Sequence, residues 1–375
     1  MDRRFLKHSD VFDLGDWLQY FAFDVMGTMT FSKRYGFLDQ GEDVGGMLGA
    51  IANFMKSVAP MTQYVSKTLD QLSRFHSIYD IMSYWKSNPC SIPPPYSVFS
   101  GFQVRKLYTA VRRAPGLRIL GFVANVIKER REMKASGEIP TEEKETGKKD
   151  FLGHYLDIQD TNTDLPPWCV TGWTFSNVVA GSDSVGTCMR TTVYNLLANP
   201  HTLAKLYGEL HSANLSRPYA KFSEVNPLPY LDACVWESIR MHPPFALPFE
   251  RIVPEGGITV LGYYLPAGTV IGGSPYVVNR HKGTFGQDAE FWRPDRWLEQ
   301  DEKHKQKLVR SVLTFGAGRR VCIGKHIGLM EVKKLVAFLV LNYNLHIIDP
   351  KAFKVENTWF FRQKGLNVWV EKREN

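Results

Sequence analysis

A chain of 375 residues with 44% hydrophobic and 13% aromatic content can bury a large core. It has no low-complexity tract and no repeat at a fixed period, which argues against disorder and against a solenoid. The formal charge of +8 is spread over stretches such as KERREMKASGE and EQDEKHKQK, which interleave acids with bases, whereas a nucleic-acid interface needs an unbroken basic face with aromatic platforms.

Helix-period apolar patterns span residues 10–34 and 44–85, with Gly36, Gly41, Gly45 and Gly46 between them. The proline-rich SNPCSIPPPYSVFSG at 87–101 predicts an irregular surface loop, and a further helix ends near Lys134. KASGEIPTEEKETGKKD at 134–150 is polar and turn-rich and predicts a loop. After Pro166 and Pro167 comes a long helical stretch, apolar on most sides, that Asn199 and Pro200 end; such a helix belongs in the middle of a fold. Helices follow at 201–214 and 229–241, the second stopped by Pro243 and Pro244. The β-branched runs of RIVPEGGITVLGYYLPAGTVIGGSPYVVNR predict a small sheet. CIGKHIGLMEVKKLVAFLVLNYNLHI predicts a last long helix and a strand, and LNVWVEK a closing strand. The fold class is therefore mainly α with a small β-rich region (α+β), expected as a single domain over 1–375. No signal-peptide run opens the chain, and its longest apolar run, LVAFLVL, is too short to cross a bilayer, so no anchor is expected within it.

Five cysteines, odd in number and without a CxxC pair, argue against a disulfide framework or a structural zinc site and fit a reducing compartment. Cys90, Cys169, Cys188 and Cys234 read as small buried hydrophobes. Cys322 differs, because Gly316, Gly318 and Gly324 permit a tight turn and a helix begins just after it, which favours a thiolate. Nucleophile, zinc ligand and haem ligand compete as its use. No positioned base and no further zinc ligands are visible. A dinucleotide loop is a poor match, since Val321 stands where a third glycine is needed.

FGAGRRVCIG resembles the haem-binding loop of the cytochrome P-450 monooxygenases, matching Phe315, Gly318, Arg320, Cys322 and Gly324 in spacing. The resemblance runs from about residue 10 to 374, and TFSKRYGFLDQGEDV is similar to filamentous-fungal members related to pisatin demethylase. It implies haem b (iron protoporphyrin IX), with Cys322 as axial thiolate donating electron density to the iron, N–H groups around Gly324 tuning the sulfur, and Arg320 meeting a haem propionate. Residues 229–375 would form the haem-thiolate core.

Three distant segments bear on that resemblance. In WESIR, Glu237 and Arg240 share one helix face, and Arg296 of FWRPDRW completes a pattern similar to the family's buried Glu-Arg-Arg cluster; Asp295 stands where the family more often has Glu. In AGSDS, the resemblance implies that Gly181 clears the haem face, that Ser184 bonds back to the helix and opens a dioxygen groove, and that Asp183 relays protons; the family usually has Thr at Ser184. In LPFERIVP, Arg251 matches an arginine that reaches the second propionate. Ala246, Leu247 and Phe249, with Phe175, Val179, Phe360 and Phe361, match segments lining the substrate pocket, although each would be core in another fold.

The implied function is a haem-thiolate monooxygenase acting on an apolar small molecule and O2, with electrons from NADPH through NADPH-cytochrome P-450 reductase. A haem-thiolate isomerase or dehydratase is the alternative, which Asp183 and Ser184 argue against, and a non-catalytic remnant is a third. Family chains carry an anchor helix, the first strands and further propionate contacts before the region where this sequence starts, so a truncated chain with weak haem affinity is expected. Full-length relatives sit at a membrane surface, on the cytosolic face of the endoplasmic reticulum. Arg319, Lys325, Lys333 and Lys334 would suit docking of an acidic flavin domain, or are ordinary solvent-facing cations.

Overall fold

LGDWLQYFAFDVMGTMTF places apolar residues at helical spacing and forms α1 (Leu14–Phe31), burying Leu14, Leu18, Ala22, Phe23 and Met26. The computed structural model describes residues 2–6, 10–53, 55–56, 116–245, 247–358 and 360–374. The expected helix beyond Lys56, the loop at 87–101, Cys90 and Ala246 lie outside them. The chain folds as two compact units, residues 20–182 and residues 1–19 with 183–375.

In the unit of residues 20–182, the body of α1 is joined by α2 (Gly116–Ala135), α3 (Phe151–Thr161) and the start of α4 (Cys169–Ala198). The buried rings of Phe23, Phe31, Tyr35 and Phe37 pack on one another. Arg130 of α2 is buried against Asp150, with Nη2 2.7 Å from Oδ2, and also donates to the Phe31 carbonyl at 2.9 Å. Asp150 in turn caps α3 by accepting from the Gly153 N–H at 2.8 Å, so one carboxylate ties three segments together. The stretch 134–150, expected as loop, carries a short helix at Thr141–Thr146, set between Gly137 and Gly147, both at positive φ. A six-residue polar helix lacks the apolar period that would announce it.

The other unit holds the rest of α4, α5 (Pro200–Ser212), α6 (Pro229–Met241), α7 (Glu302–Ser311) and α8 (Lys325–Asn342). Proline at the first turn of α5 and of α6 sets both starts, because its missing N–H has no partner there in any helix. Asp301 caps α7 by accepting from the His304 N–H at 2.9 Å. α6 is buried from Tyr230 to Arg240 except for the half-buried Asp232. Strand β1 (Phe12–Asp13) pairs antiparallel with β9 (Asn367–Lys372), which pairs with β6 (Tyr343–Ile347).

Residues 249–273 form two separate antiparallel pairs where one small sheet is expected. They are β2 (Phe249–Ile252) with β5 (Val270–Gly273), and the hairpin β3 (Ile258–Val260) with β4 (Tyr263–Leu265). Leu261 and Gly262 turn that hairpin, both at positive φ, as a tight two-residue connection requires. A last hairpin, β7 (Lys354–Asn357) with β8 (Phe361–Lys364), is largely exposed and too polar to show in the sequence pattern. Among the described residues no helix is long and apolar enough to cross a membrane.

Candidate functional site

The site rests on a buried charge cluster. Glu237 and Arg240 lie one turn apart on α6, both fully buried, and Arg240 grips the carboxylate with two hydrogen bonds of 2.8 Å. Arg296 adds Nε at 2.9 Å, Trp297 its indole N–H at 3.0 Å, and the Arg293 backbone N–H reaches the same carboxylate at 2.9 Å. Five donors on one carboxylate are what a charge needs in the absence of water. The guanidinium of Arg240 also donates to the carbonyls of Asn279 (2.9 Å) and Ala289 (2.6 Å), so α6 fixes the chain that follows the strands. Asp295 faces outward to the Lys205 ammonium and takes no part in the buried cluster.

From this platform a short chain of contacts leads to the cysteine. Asn279, fully buried, donates to Thr314 Oγ1 at 2.8 Å and accepts from the Leu313 N–H at 2.8 Å, while Thr314 Oγ1 donates to the Ile239 carbonyl at 2.9 Å. The turn at 313–315 is thereby pinned to α6. The Phe315 ring stands edge-on to Trp236, and the Lys325 ammonium lies over both rings, 5.5 Å from the Phe315 centroid and 5.1 Å from that of Trp236. The Cys322 N–H donates to the Phe315 carbonyl at 2.7 Å, which closes the loop. Gly316 and Gly318 have φ of 72° and 61°, the left-handed region in which glycine carries no steric penalty. Gly324, at φ −83°, needs no such freedom; it precedes the first turn of α8, and its carbonyl accepts from the Gly328 N–H at 2.9 Å.

The loop opens outward. Cys322 is exposed, Arg320 beside it is exposed, and Val321 and Ile323 stand 50% and 99% exposed. α4 comes close to this loop: a side chain begun at Gly328 of α8 would touch Val185 at 3.4 Å, and burial, with the nearby Cys322 thiol adding to it, pushes the Cys188 thiol up to about 12.

α4 runs as one continuous helix through Gly181, Asp183 and Ser184, so the opened turn expected there is absent. Hydroxyls along it bond back to the helix without breaking it, as in Thr174 to Val170 (2.7 Å), Ser182 to Val178 (2.8 Å) and Thr191 to Thr187 (2.9 Å). Gly181 lies against Met26. A Cβ there would fall 2.5 Å from Met26 Sδ, so the Met26 side chain fills the space beside this glycine. Asp183 accepts from Gln19 Nε2 at 2.7 Å. Burial raises its carboxyl to about 6, against the opposing pull of Arg190, the Gln19 hydrogen bond and Arg362.

Arg251 is exposed on β2, opposite Ile271, with one contact to the Glu250 carbonyl at 2.6 Å. Phe249 and Phe360 both pack on Phe245, with ring centroids 5.5 Å apart in each case. Phe361 packs on His242 and Tyr276. His242 lies in this aromatic cluster with Nε2 buried and unpartnered, and burial, helped by Arg280, lowers its pKa to about 4. Leu247 is half-buried, and so are Phe175 and Val179, one turn apart on the first half of α4. Lys333 corrects the expected basic surface: it is buried, with Nζ 2.7 Å from Asp232, so only Arg319 and Lys334 of that group, with Arg320, are exposed. Asn279, Thr314 and Gln19 carry the site without any motif to announce them; the one trace is a lone amide or hydroxyl in an apolar run.

The sequence matches the Cytochrome P450 family over residues 2–368. The chain belongs to the cytochrome P450 family. It is 57% identical over 373 residues to cytochrome P450 monooxygenase mfmA of Annulohypoxylon moriforme, 49% over 374 to pkfB of Emericella nidulans, and 46% over 378 to mpaDE of Penicillium roqueforti. Each comparison covers 100% of this chain, which spans 67%, 66% and 40% of the respective relatives. Haem is the group the P450 family implies. The residues fit it: an exposed thiol is a soft ligand suited to iron, exposed apolar side chains flank it, and the exposed guanidinium groups of Arg320 and Arg251 suit carboxylates.

Proposed function

We propose that this chain is the haem-thiolate core of a monooxygenase that inserts one oxygen atom from O2 into an apolar small molecule, with electrons from NADPH through a flavoprotein reductase. The observation that carries this is the exposed Cys322 thiol on a turn anchored to the buried Glu237–Arg240–Arg296 cluster. Bound haem supplies the redox chemistry of oxygen activation. Cys322 Sγ would hold the iron, and Arg320 and Arg251 would hold the two propionates by charge-assisted bonds. Asp183 passes protons inward through its carboxyl, with the Ser184 hydroxyl beside it, and its pKa of about 6 suits an acid working near neutral pH. Phe249, Phe360 and Phe361, with Leu247, take the apolar substrate and exclude water. Arg319 and Lys334 present positive charge to an acidic flavin domain, and the natural setting is the cytosolic face of the endoplasmic reticulum.

The test is spectroscopic. The chain is purified with haemin, reduced and exposed to carbon monoxide; a thiolate-ligated Soret band that Cys322→Ser abolishes is expected. Absence of haem uptake overturns the proposal. Product formation that requires NADPH and reductase supports the monooxygenase, whereas rearrangement of a peroxide substrate without reductase points to an isomerase.

A further inference from the structure

Gln19 is an amide in an apolar interface. It lies on the second turn of α1, 5% exposed. Packing alone is better served by Leu or Met at such a place, since a buried amide needs partners. Gln19 has a built seat. Its Nε2 donates to Asp183 Oδ1 at 2.7 Å, and its Oε1 occupies the space where a Gly186 side chain would begin, 2.5 Å from the Cβ position. Asp183 and Gly186 are three residues apart and share a face of α4, so the amide spans that face. One turn further, Arg190 Nε donates to the Gly15 carbonyl at 2.7 Å, and its Nη2 stands 3.8 Å from Asp16. The start of α1 is thus fastened to α4 at two points, and one of them is the carboxylate of Asp183.

We infer that Gln19 is the positioning residue of Asp183: its Nε2 fixes the carboxylate against α1 and governs how readily that carboxyl gives up its proton, an inference that rests on Asp183 as the proton donor. The charged groups facing the pair are Arg190 of α4 and Arg362 of β8, with Asp13 and Asp16 acting on Arg190. Burial favours the protonated carboxyl. Arg190, the N–H from Gln19 and Arg362 favour the ionised one. Deleting the Gln19 N–H therefore moves the proton affinity of Asp183 upward, and a carboxyl in its place, which would share a proton with Asp183, moves it further.

The test is a pH titration of the carboxyl infrared band in the haem-loaded protein, with Asp183→Asn identifying the band. The expected midpoint is about 6 for the natural sequence, and roughly one pH unit higher in Gln19→Leu. Gln19→Glu, close to isosteric and so a guard against misfolding, should titrate higher still. Alongside, the alkaline limb of product formation per NADPH consumed should move up by the same interval, which a merely structural role would not produce. An unchanged midpoint in both variants overturns the assignment of Gln19 while leaving Asp183 as donor, provided Asp183→Asn still lowers product formation. Full product formation in Asp183→Asn overturns the underlying role of Asp183 and, with it, this inference.

Discussion

Glu237→Ala removes a fully buried anion and leaves the guanidinium groups of Arg240 and Arg296 facing an empty site. Five donors lose their acceptor, at distances of 2.8 to 3.0 Å. At about 1.5–3 kcal/mol for each bond to a charged group, simple addition gives about 7–15 kcal/mol, as much as the whole stability of a domain. Addition overcounts here, because Arg240 keeps the Asn279 and Ala289 carbonyls, and Arg296 keeps the Asp288 and Phe291 carbonyls at 3.1 Å. The appropriate scale is a broken buried ion pair, about 3–5 kcal/mol. Urea unfolding followed by far-ultraviolet circular dichroism measures it, with Asp157→Ala as control, since Asp157 pairs with Lys134 and Lys149 at the surface and should cost under about 1 kcal/mol. A Glu237→Ala protein within about 1 kcal/mol of the natural one would refute the cluster as the foundation of the cysteine turn.

Glu331 on α8 is buried with neither carboxyl oxygen hydrogen-bonded, and burial raises it from 4.5 to about 8. Because the folded value lies above the unfolded one, its contribution is complete below pH 4.5 and is lost as pH rises through 8, a span worth at most about 5 kcal/mol. Glu331→Gln should flatten stability against pH across that window, as read by urea midpoints at stepped pH; an undiminished slope would count against it. Asn279→Ala removes the side-chain bonds of residue 279 to the Arg240 carbonyl, Thr314 and the Leu313 N–H while the Thr314 bond to the Ile239 carbonyl remains, so it should cost about 1–3 kcal/mol and speed haem transfer to an acceptor protein, measured by the decay of the Soret band. Thiol alkylation of the haem-free protein at neutral pH, read by mass spectrometry, should modify Cys322 well before the buried Cys169 and Cys234 and before Cys188, and haem should protect Cys322; equal labelling of the four would contradict the placement of the loop.

Much of the framework was written locally. Pro200 and Pro229 mark the starts of α5 and α6, the apolar run from Cys169 to Ala198 forms one long helix, and Glu237 with Arg240 is an i,i+3 pair whichever way the helix packs. The decapeptide around Cys322 carries its own turn glycines, Gly316 and Gly318, and these do adopt positive φ. Thr141–Thr146 and the β7–β8 hairpin stayed hidden because short polar elements have no apolar period to betray them.

Side-chain partners are a different matter. Met26 sits beside Gly181, Asp183 is held by Gln19 across 164 positions of chain, and Lys333 turns inward to Asp232. Asn279 joins Arg240 to Leu313 and Thr314 although nothing beside it in the chain suggests either neighbour. Backbone preference acts within a turn or two of a residue, so it can be read from neighbours in the chain. Burial and the pairing of polar groups depend on which distant segments close against one another, and that choice emerges only when the whole core has packed.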